Sequence, residues 1–476
     1  MATPFIQLFK TPRSRYVFDV NMNEILPIST ESFSFLKKCM SGEADVTSSE
    51  IAEINDLRQA GYLKTESVVE KIYHPYTPFL NDLLERKIPK ATLQLTQRCN
   101  LRCKYCIYSE DVNMHQRSHS NKDMHWETAK KSIDFLREHS VDSTQVNIGF
   151  YGGEPLLRFS LIKQIVAYAR EKFDGKELAF TITTNGTLLN EEIISYFEKE
   201  DVQLMISLDG PKEIHDKNRV FPNGQGSFDT VMENLERLKA IAPDYAKKVS
   251  FSMVMDPIND YDCINQITIT TREHHFLASL VDKGYDEGKL IYSEEYLWKS
   301  RYQEFLAVLS MFNRFPSTDV SAIARNVVGR FIADRTTYQS SNPLRKVDVP
   351  SGPCTPGQLR LFVDVNGRLF PCERVSENSK STCLGTIDDG FDLYKTSALL
   401  NVGSITEKEC KKCWAFRFCA ICVKQVDDGT PALSAVVKRS HCNEIRYNAY
   451  EKIRRIIFLK EIDDIYYSEQ TRQLDR

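Results

Sequence analysis

From residue 91 onward, short apolar runs alternate with stretches in which apolar positions recur every three or four residues. The runs at 92–96, 146–150, 178–183, 203–208 and 249–255 have strand length. Between them, segments near 126–138, 160–173, 190–199 and 228–240 carry helical periodicity. Strand-then-helix repetition at this spacing predicts an α/β fold built on a parallel sheet, open or closed into a partial barrel. Functional side chains on such sheets collect at the carboxyl ends of the strands.

The first 75 residues follow another pattern. Runs at 16–20 and 24–28 flank Asn21-Met22-Asn23 and predict a hairpin. A helix with Phe33, Leu36 and Met40 on one face ends at Gly42. Thr47 and Glu50 form a capping-box pair that opens a second helix bearing Ile51, Ile54 and Leu57. Gly61 stops it before a short strand at Tyr62-Leu63. Hairpin, helix, helix, strand is a winged-helix-like outline, assigned to residues 1–85. Residues 1–90 hold 11 Lys+Arg against 12 Asp+Glu, so the basic footprint of a DNA-binding unit is missing. An extended peptide added to the hairpin edge suits this charge better.

Residues 256–350 show little periodicity beyond a helix expected at 294–312, and Ser340-Ser341-Asn342-Pro343 marks a loop or boundary. From 354 on, cysteines, glycines and turns replace the core pattern, as in a metal-stapled domain. A final helix is expected from 443 to about 467, with Ile445, Tyr450, Ile453 and Ile457 on one face.

Composition adds constraints. The 476 residues are 42% hydrophobic and 27% charged, with a net charge of -3, which favours neither nucleic acid nor anionic lipid as a partner. No apolar run reaches the roughly 20 residues of a membrane span, and Met1-Ala2-Thr3-Pro4-Phe5 lacks the layout of a secretion signal. A cytoplasmic location is the expectation. In that reducing setting the 13 cysteines read as metal ligands rather than disulfides, because they are clumped. Three stand at 99, 103 and 106 and eight between 354 and 442, while Cys39 and Cys263 read as small core residues.

Cys99-Asn-Leu-Arg-Cys103-Lys-Tyr-Cys106 directly follows the first strand of the alternating region. Three thiolates in one loop can hold three corners of a four-iron cube and leave the fourth iron open to a small molecule. A zinc site completed by His115 or His119, or three buried thiols without metal, are the plainer readings. Gly152-Gly153-Glu154-Pro155 ends the second strand, where paired glycines permit close backbone approach and Glu154 can receive an ammonium group.

Cys-x3-Cys-x2-Cys with Tyr105 before the last cysteine, followed by Gly-Gly-Glu-Pro, resembles the radical S-adenosylmethionine enzymes. Thr184-Asn185-Gly186 after the third strand matches too, as does Ser207-Leu-Asp209-Gly-Pro-x3-His215-Asp216-x2-Arg219 after the fourth. The resemblance spans about 90–260 and implies a partial (β/α)6 barrel, assigned to residues 90–315. It further implies a [4Fe-4S] cluster on Cys99, Cys103 and Cys106, with S-adenosylmethionine on its open iron. Gly152, Gly153, Glu154 and Pro155 would meet the amino group, and Tyr105 the adenine. Asn185 belongs to the same binding set, while Ser207 and Arg219 would hold the ribose and carboxylate. Cleavage of the sulfonium would yield a 5′-deoxyadenosyl radical that takes hydrogen from substrate.

The second cysteine field, Cys354, Gly367-x4-Cys372, Cys383, Cys410-x2-Cys413-x5-Cys419-x2-Cys422 and Cys442, suffices for two metal centres, and a pair of zinc ribbons is its plain reading. Behind such a core it resembles the SPASM extension, assigned to residues 350–445, with 446–476 as the terminal helix. That resemblance implies two auxiliary [4Fe-4S] clusters, three in all. Cys410, Cys413, Cys419 and Cys442 would hold one; Cys354, Cys372 and Cys422 the other, with an open iron or with Cys383 as fourth ligand. Cys419 and Cys422 stand two residues apart where the family has three. Glu373 lies where sulfatase-maturing relatives carry an acid; a base role there competes with a plain surface carboxylate.

This order of parts is similar to that of maturases of ribosomally made peptides, in particular those forming thioether links. It implies a Cys-rich precursor with a leader captured by the amino-terminal unit, and an electron donor such as flavodoxin or ferredoxin. Three alternatives stand beside it: a sulfatase-maturase-like enzyme making formylglycine, another peptide chemistry such as carbon–carbon crosslinking or epimerisation, and a non-catalytic metal-binding interaction protein.

Overall fold

The computed structural model describes residues 2–106, 120–270, 274–281, 290–338, 342–350 and 352–474. His115 and His119 lie outside them. The amino-terminal unit begins with three strands, β1 (Ile6–Lys10), β2 (Arg15–Asp19) and β3 (Glu24–Ile28), paired antiparallel in the order β1-β2-β3. Helices α1 (Thr30–Met40) and α2 (Ala52–Gln59) follow. This replaces the expected hairpin–helix–helix–strand outline in three respects. A first strand precedes the hairpin. Tyr62-Leu63 forms no strand: Leu63 takes φ +59° and donates its N–H to the buried Asp19 carboxylate at 2.7 Å. The Thr47–Glu50 capping box does not form: Thr47 bonds Asp45, and α2 starts after Ile51 with no side-chain cap. Glu53 instead accepts from the Ser29 backbone and hydroxyl. The inward face of α1 carries Ser32, Leu36 and Cys39, and Met40 is exposed.

A two-residue strand β4 (Lys71–Ile72) and helix α3 (Leu80–Arg86) lead into the repeating region. It runs β5 (Lys90–Thr96), α4 (Trp126–His139), β6 (Gln145–Gly152), α5 (Phe159–Lys172), β7 (Glu177–Thr184), α6 (Glu191–Lys199) and β8 (Gln203–Ser207). It continues through α7 (Lys212–Asn218), α8 (Phe228–Ile241), α9 (Pro243–Ala246), β9 (Ser250–Met255), α10 (Tyr261–Thr270) and β10 (His275–Leu280). Each of β5–β10 is parallel to its neighbour, and each link between successive strands carries at least one helix, so the six strands stand side by side in chain order. The helices bury apolar stripes such as Ile162, Ile165, Val166 and Ala169 of α5 against Ile148, Phe150, Phe180 and Ile182 of the sheet. Local caps mark several starts: Asn190 accepts from Ile193 N–H ahead of α6.

Helices α11 (Glu294–Met311) and α12 (Ala322–Thr337) pack on each other through Leu306, Ala307, Ala324 and Val328. The cysteine-rich region is joined to the core rather than separate from it. After β11 (Val347–Asp348), which pairs with β4, strand β12 (Leu361–Val363) lies parallel to β5, with Leu361 opposite Ala91. Antiparallel β13 (Arg368–Phe370), β14 (Gly385–Thr386) and β15 (Gly390–Phe391) extend the same sheet, ten strands among the described residues. Helices α13 (Leu393–Leu400) and α14 (Glu407–Cys410) precede a 40-residue α15 (Ala435–Leu474). The final helix thus begins at 435, not 446, and Cys442 sits within it. Ile453, Ile456 and Ile457 of α15 share a core with Phe9, Tyr16 and Phe18 of the amino-terminal sheet, and Phe9 stacks on Tyr450 at 4.7 Å. No helix among the described residues is long and apolar enough to cross a membrane.

Candidate functional site

The sheet register brings four loops to one edge. Gly152 of β6 is level with Thr96 of β5, Thr184 of β7 with Ile206 of β8, and Ser207 with Ser252 of β9. The cysteine loop, residues 99–106, leaves β5 at this edge and is held from three sides.

The first hold is the Gly-Gly-Glu-Pro turn. Gly153 N–H donates to Thr96 O and Glu154 N–H to Arg98 O, both at 2.9 Å. A Cβ on Gly153 would stand 2.1 Å from Arg98 O, and one on Gly152 (φ +137°) 2.2 Å from Thr96 O. These glycines therefore permit close approach to the backbone just before Cys99. Glu154 is fully buried. Its Oε1 accepts from Leu156 N–H and the Thr184 hydroxyl, and Oε2 accepts from Asn185 N–H at 2.8 Å, so one acceptor position remains on Oε2. Burial raises its pKa to about 7. Pro155 opens a short 3-10 turn capped by Glu154.

The second hold is Thr184-Asn185-Gly186. Asn185 Nδ2 donates to Asn100 Oδ1 at 2.8 Å and lies 3.9 Å from Cys99 Sγ, while Asn100 donates to Thr187. The third is the segment around Arg219: Arg102 N–H donates to Val220 O and Lys104 N–H to Asn218 O. Here Asp209, 1% exposed, is the hub. Its Oδ2 accepts the Tyr105 hydroxyl and Arg219 Nε (2.9 Å), and its Oδ1 accepts Val254 N–H (3.0 Å). The Arg219 guanidinium lies 5.5 Å over the Tyr105 ring, and its charge reaches the Cys103 thiol. His215 is fully buried. Its Nδ1 receives Asp209 N–H and its Nε2 meets Ser227 Oγ, whose hydroxyl is donated to Arg219 O. That network demands the neutral Nε2–H tautomer. Burial, with the Arg219 charge, takes the His215 pKa down to about 4. Ser207 ends β8 at the same edge, nearly buried.

Cys99, Cys103 and Cys106 feel one another's charge. Burial pushes Cys99 and Cys103 up to about 12, so a bound metal is what would deprotonate them. The donor set fits a thiolate-held cluster: three thiols on one strand-end loop, braced at both ends. Among the described residues no three His, Cys, Asp or Glu side chains are placed to hold a single metal ion.

In the second field, Cys410, Cys413, Cys419 and Cys442 line one cavity of about 50 Å³, together with Phe416, Ile421 and the buried Lys438. These four residues fit a four-thiolate centre. Cys354 and Cys372 both feel Cys422, which groups those three apart from the four. Cys383 turns its thiol to Gly385 O at 3.6 Å. Glu373 is ion-paired with Arg360 at 3.2 Å. Cys39 is buried in the amino-terminal core, and Cys263 packs against the main one.

Sequence reasoning passed over Asp209, Asn100 and Lys438 as site residues, and it also missed Glu377. The last is a buried carboxylate that accepts from Gln94 (2.6 Å) and Gln97 (3.0 Å), tying β5 and the residues before Cys99 to the chain after Cys372. Asp209 and Asn100 lie inside recognised motifs; Lys438 and Glu377 do not. A cleft of about 2130 Å³ opens between α11, α12 and α15, reaching Met255 and Val281 beside β9 and β10, and Phe418 and Ala420 in the second field. Tyr261, Tyr292, Tyr296 and Phe331 are among its walls.

Residues 93–266 match the Radical SAM superfamily. An uncharacterized protein of Methanocaldococcus jannaschii is 40% identical over 148 residues, 31% of this chain and 48% of that one. A cysteine-type anaerobic sulfatase-maturating enzyme of Clostridium novyi is 32% identical over 232 residues, 41% of this chain and 60% of that one. The chain thus spans about half the length of these curated relatives. In fold it resembles the solved structure of native anSMEcpe with bound AdoMet, at a TM-score of 0.56 and 20% identity, over 79% of this chain and 98% of that one. The braced cysteine loop lies inside the matched span, and this chain carries a radical SAM domain of the Radical SAM superfamily.

Proposed function

We propose that this protein is a peptide-modifying radical S-adenosylmethionine enzyme that closes a thioether between a cysteine sulfur and a carbon of a Cys-rich precursor. The six-stranded unit is read as its partial (β/α)6 barrel, residues 1–85 as a leader-docking unit, and the second cysteine field as a SPASM extension with two auxiliary clusters. The observation that carries this reading is the cysteine loop locked to the ends of the neighbouring strands, with a second set of four thiols gathered around one cavity.

Cys99, Cys103 and Cys106 would hold a [4Fe-4S] cluster that, with S-adenosylmethionine beside it, would supply one-electron radical chemistry for removing a hydrogen atom from the substrate. The chain's own residues position and exclude. Glu154 fixes the turn facing the cysteine loop and keeps one Oε2 acceptor position for an ammonium. Asp209 holds Tyr105 and Arg219 as one rigid unit against Cys103. The aromatic-walled cleft exceeds the roughly 300–1,000 Å³ of small-molecule sites, which suits a polypeptide substrate.

The Clostridium novyi relative favours a second reading, oxidation of a cysteine to formylglycine. One experiment separates the two. The anaerobically reconstituted enzyme is given S-adenosylmethionine, reductant and candidate Cys-rich peptides, with and without leader, and the products are weighed and fragmented. Loss of two hydrogens per link, with the thiol sulfur retained and blocked to alkylation, is expected only with the leader present. An aldehyde in place of the thiol would overturn the thioether reading, and full turnover without the leader would remove the docking role of residues 1–85.

A further inference from the structure

Helix α15 carries Lys438, Cys442 and Arg446 at i, i+4 and i+8, one stripe on one face. All three line the cavity that holds Cys410, Cys413 and Cys419. Lys438 is 2% exposed. Its ammonium donates to Val402 O at 2.9 Å, Gly403 O at 3.3 Å and Cys410 Sγ at 3.5 Å. Among the described residues no carboxylate pairs with it; Glu409, which feels its charge, is committed to Arg439 at 2.7 Å. The charge of Arg446, at the far end of the stripe, reaches the Cys413 thiol, and its guanidinium donates to the neutral Asn443 at 2.6 Å.

A buried ammonium without counter-charge costs several kcal/mol. Two carbonyl dipoles and a neutral thiol offset only part of that. Four thiolates around an iron–sulfur cube carry net negative charge and complete the balance. The other two cysteine groups differ. Arg219 at Cys103 is neutralised by Asp209 at 2.9 Å, and Cys372 has the Glu373 carboxylate beside it, paired with Arg360. Among the described residues, a buried ammonium without an acid partner therefore faces the four-cysteine cavity. Hydrogen bonds to cluster sulfur and nearby positive charge favour the reduced state of an iron–sulfur centre.

We infer that Lys438 and Arg446 are positioning residues that raise the reduction potential of an iron–sulfur centre held by Cys410, Cys413, Cys419 and Cys442. The inference rests on the iron–sulfur reading of the second field, which metal analysis of the parent protein tests on its own. Full-length parent, Lys438→Met, Lys438→Arg and Arg446→Gln proteins are reconstituted anaerobically, assayed for iron and sulfide, and titrated redox-potentiometrically with spin-resonance detection. In Lys438→Met at full iron load, one reduction step moves to lower potential, raising its oxidised-to-reduced ratio at fixed poise at least tenfold, about 59 mV for a one-electron couple. Arg446→Gln moves the same step in the same direction, and Lys438→Arg stays near the parent. If Lys438→Met fails to load, the half-buried Arg446 decides through its own variant. Unmoved steps in a fully loaded Lys438→Met, or in Arg446→Gln where Lys438→Met does not load, overturn the inference. A parent lacking the third centre's iron contradicts the cluster reading before any potential is measured.

Discussion

At the scale of residues, the site depends on contacts that tolerate no added atom and no added proton. Gly153 is the steric case. A methyl group there meets Arg98 O at 2.1 Å, a backbone atom that cannot swing aside. Gly153→Ala is expected to keep its circular-dichroism spectrum while losing roughly four irons per chain, because the cysteine loop is pushed from its brace. Retention of every iron would show that the brace is dispensable. His215 is the protonic case. The unfolded imidazole takes a proton below about 6.5, whereas the folded one, with its pKa down to about 4, does so only in stronger acid. Its contribution to stability is thus full above 6.5 and lost as pH falls from 6.5 to 4, by up to ~3 kcal/mol. Urea midpoints at pH 7.5 and 5 should separate more in the parent than in His215→Gln; equal separations would place the acid sensitivity elsewhere. Cys-x3-Cys-x2-Cys and Gly-Gly-Glu-Pro are legible in the chain because spacing alone exposes them. The hub role of Asp209 is not, since Asp-Gly reads as a turn until Tyr105 and Arg219, 104 and 10 residues away, are seen to converge on it.

At the scale of elements, the strands β5–β9 and their helices follow the apolar pattern closely, because each strand is long enough for its burial to leave a mark in the sequence. β9 alternates half-buried and buried positions without a break. The two- and three-residue strands β12–β15 are too short to carry any period, and the pairing of Leu361 with Ala91 spans 270 residues, so the fusion of the cysteine field with the core sheet cannot be read locally. The start of α15 was hidden for a related reason: Cys442 reads as a ligand, and ligand and helix are not exclusive. The docking of the amino-terminal sheet on this helix gives an element-scale prediction. Phe9 is 1% exposed and stacked on Tyr450. Phe9→Ala should weaken that docking by ~3–5 kcal/mol, seen as faster proteolytic release of the amino-terminal unit. An unchanged cleavage rate would mean that the shared core is not what holds it.

At the scale of the whole molecule, one sheet edge gathers the cysteine loop, and one long helix joins the amino-terminal unit to the four-thiol cavity. Phe416 and Phe418 lie between Cys413 and Cys419 in sequence and pack against the amino-terminal core, Phe418 meeting Phe18 at 5.5 Å. The proposed peptide-docking sheet and the metal chemistry proposed for the cysteine fields therefore share a continuous packed structure. Both cysteine fields are proposed to hold iron–sulfur clusters around a radical core. Metal and acid-labile sulfide content after anaerobic purification and reconstitution tests that proposal most directly. Three four-iron cubes predict about 12 irons and 12 sulfides per chain. A value near four would leave the radical core standing and remove the auxiliary clusters, and zinc throughout with no labile sulfide would contradict the account.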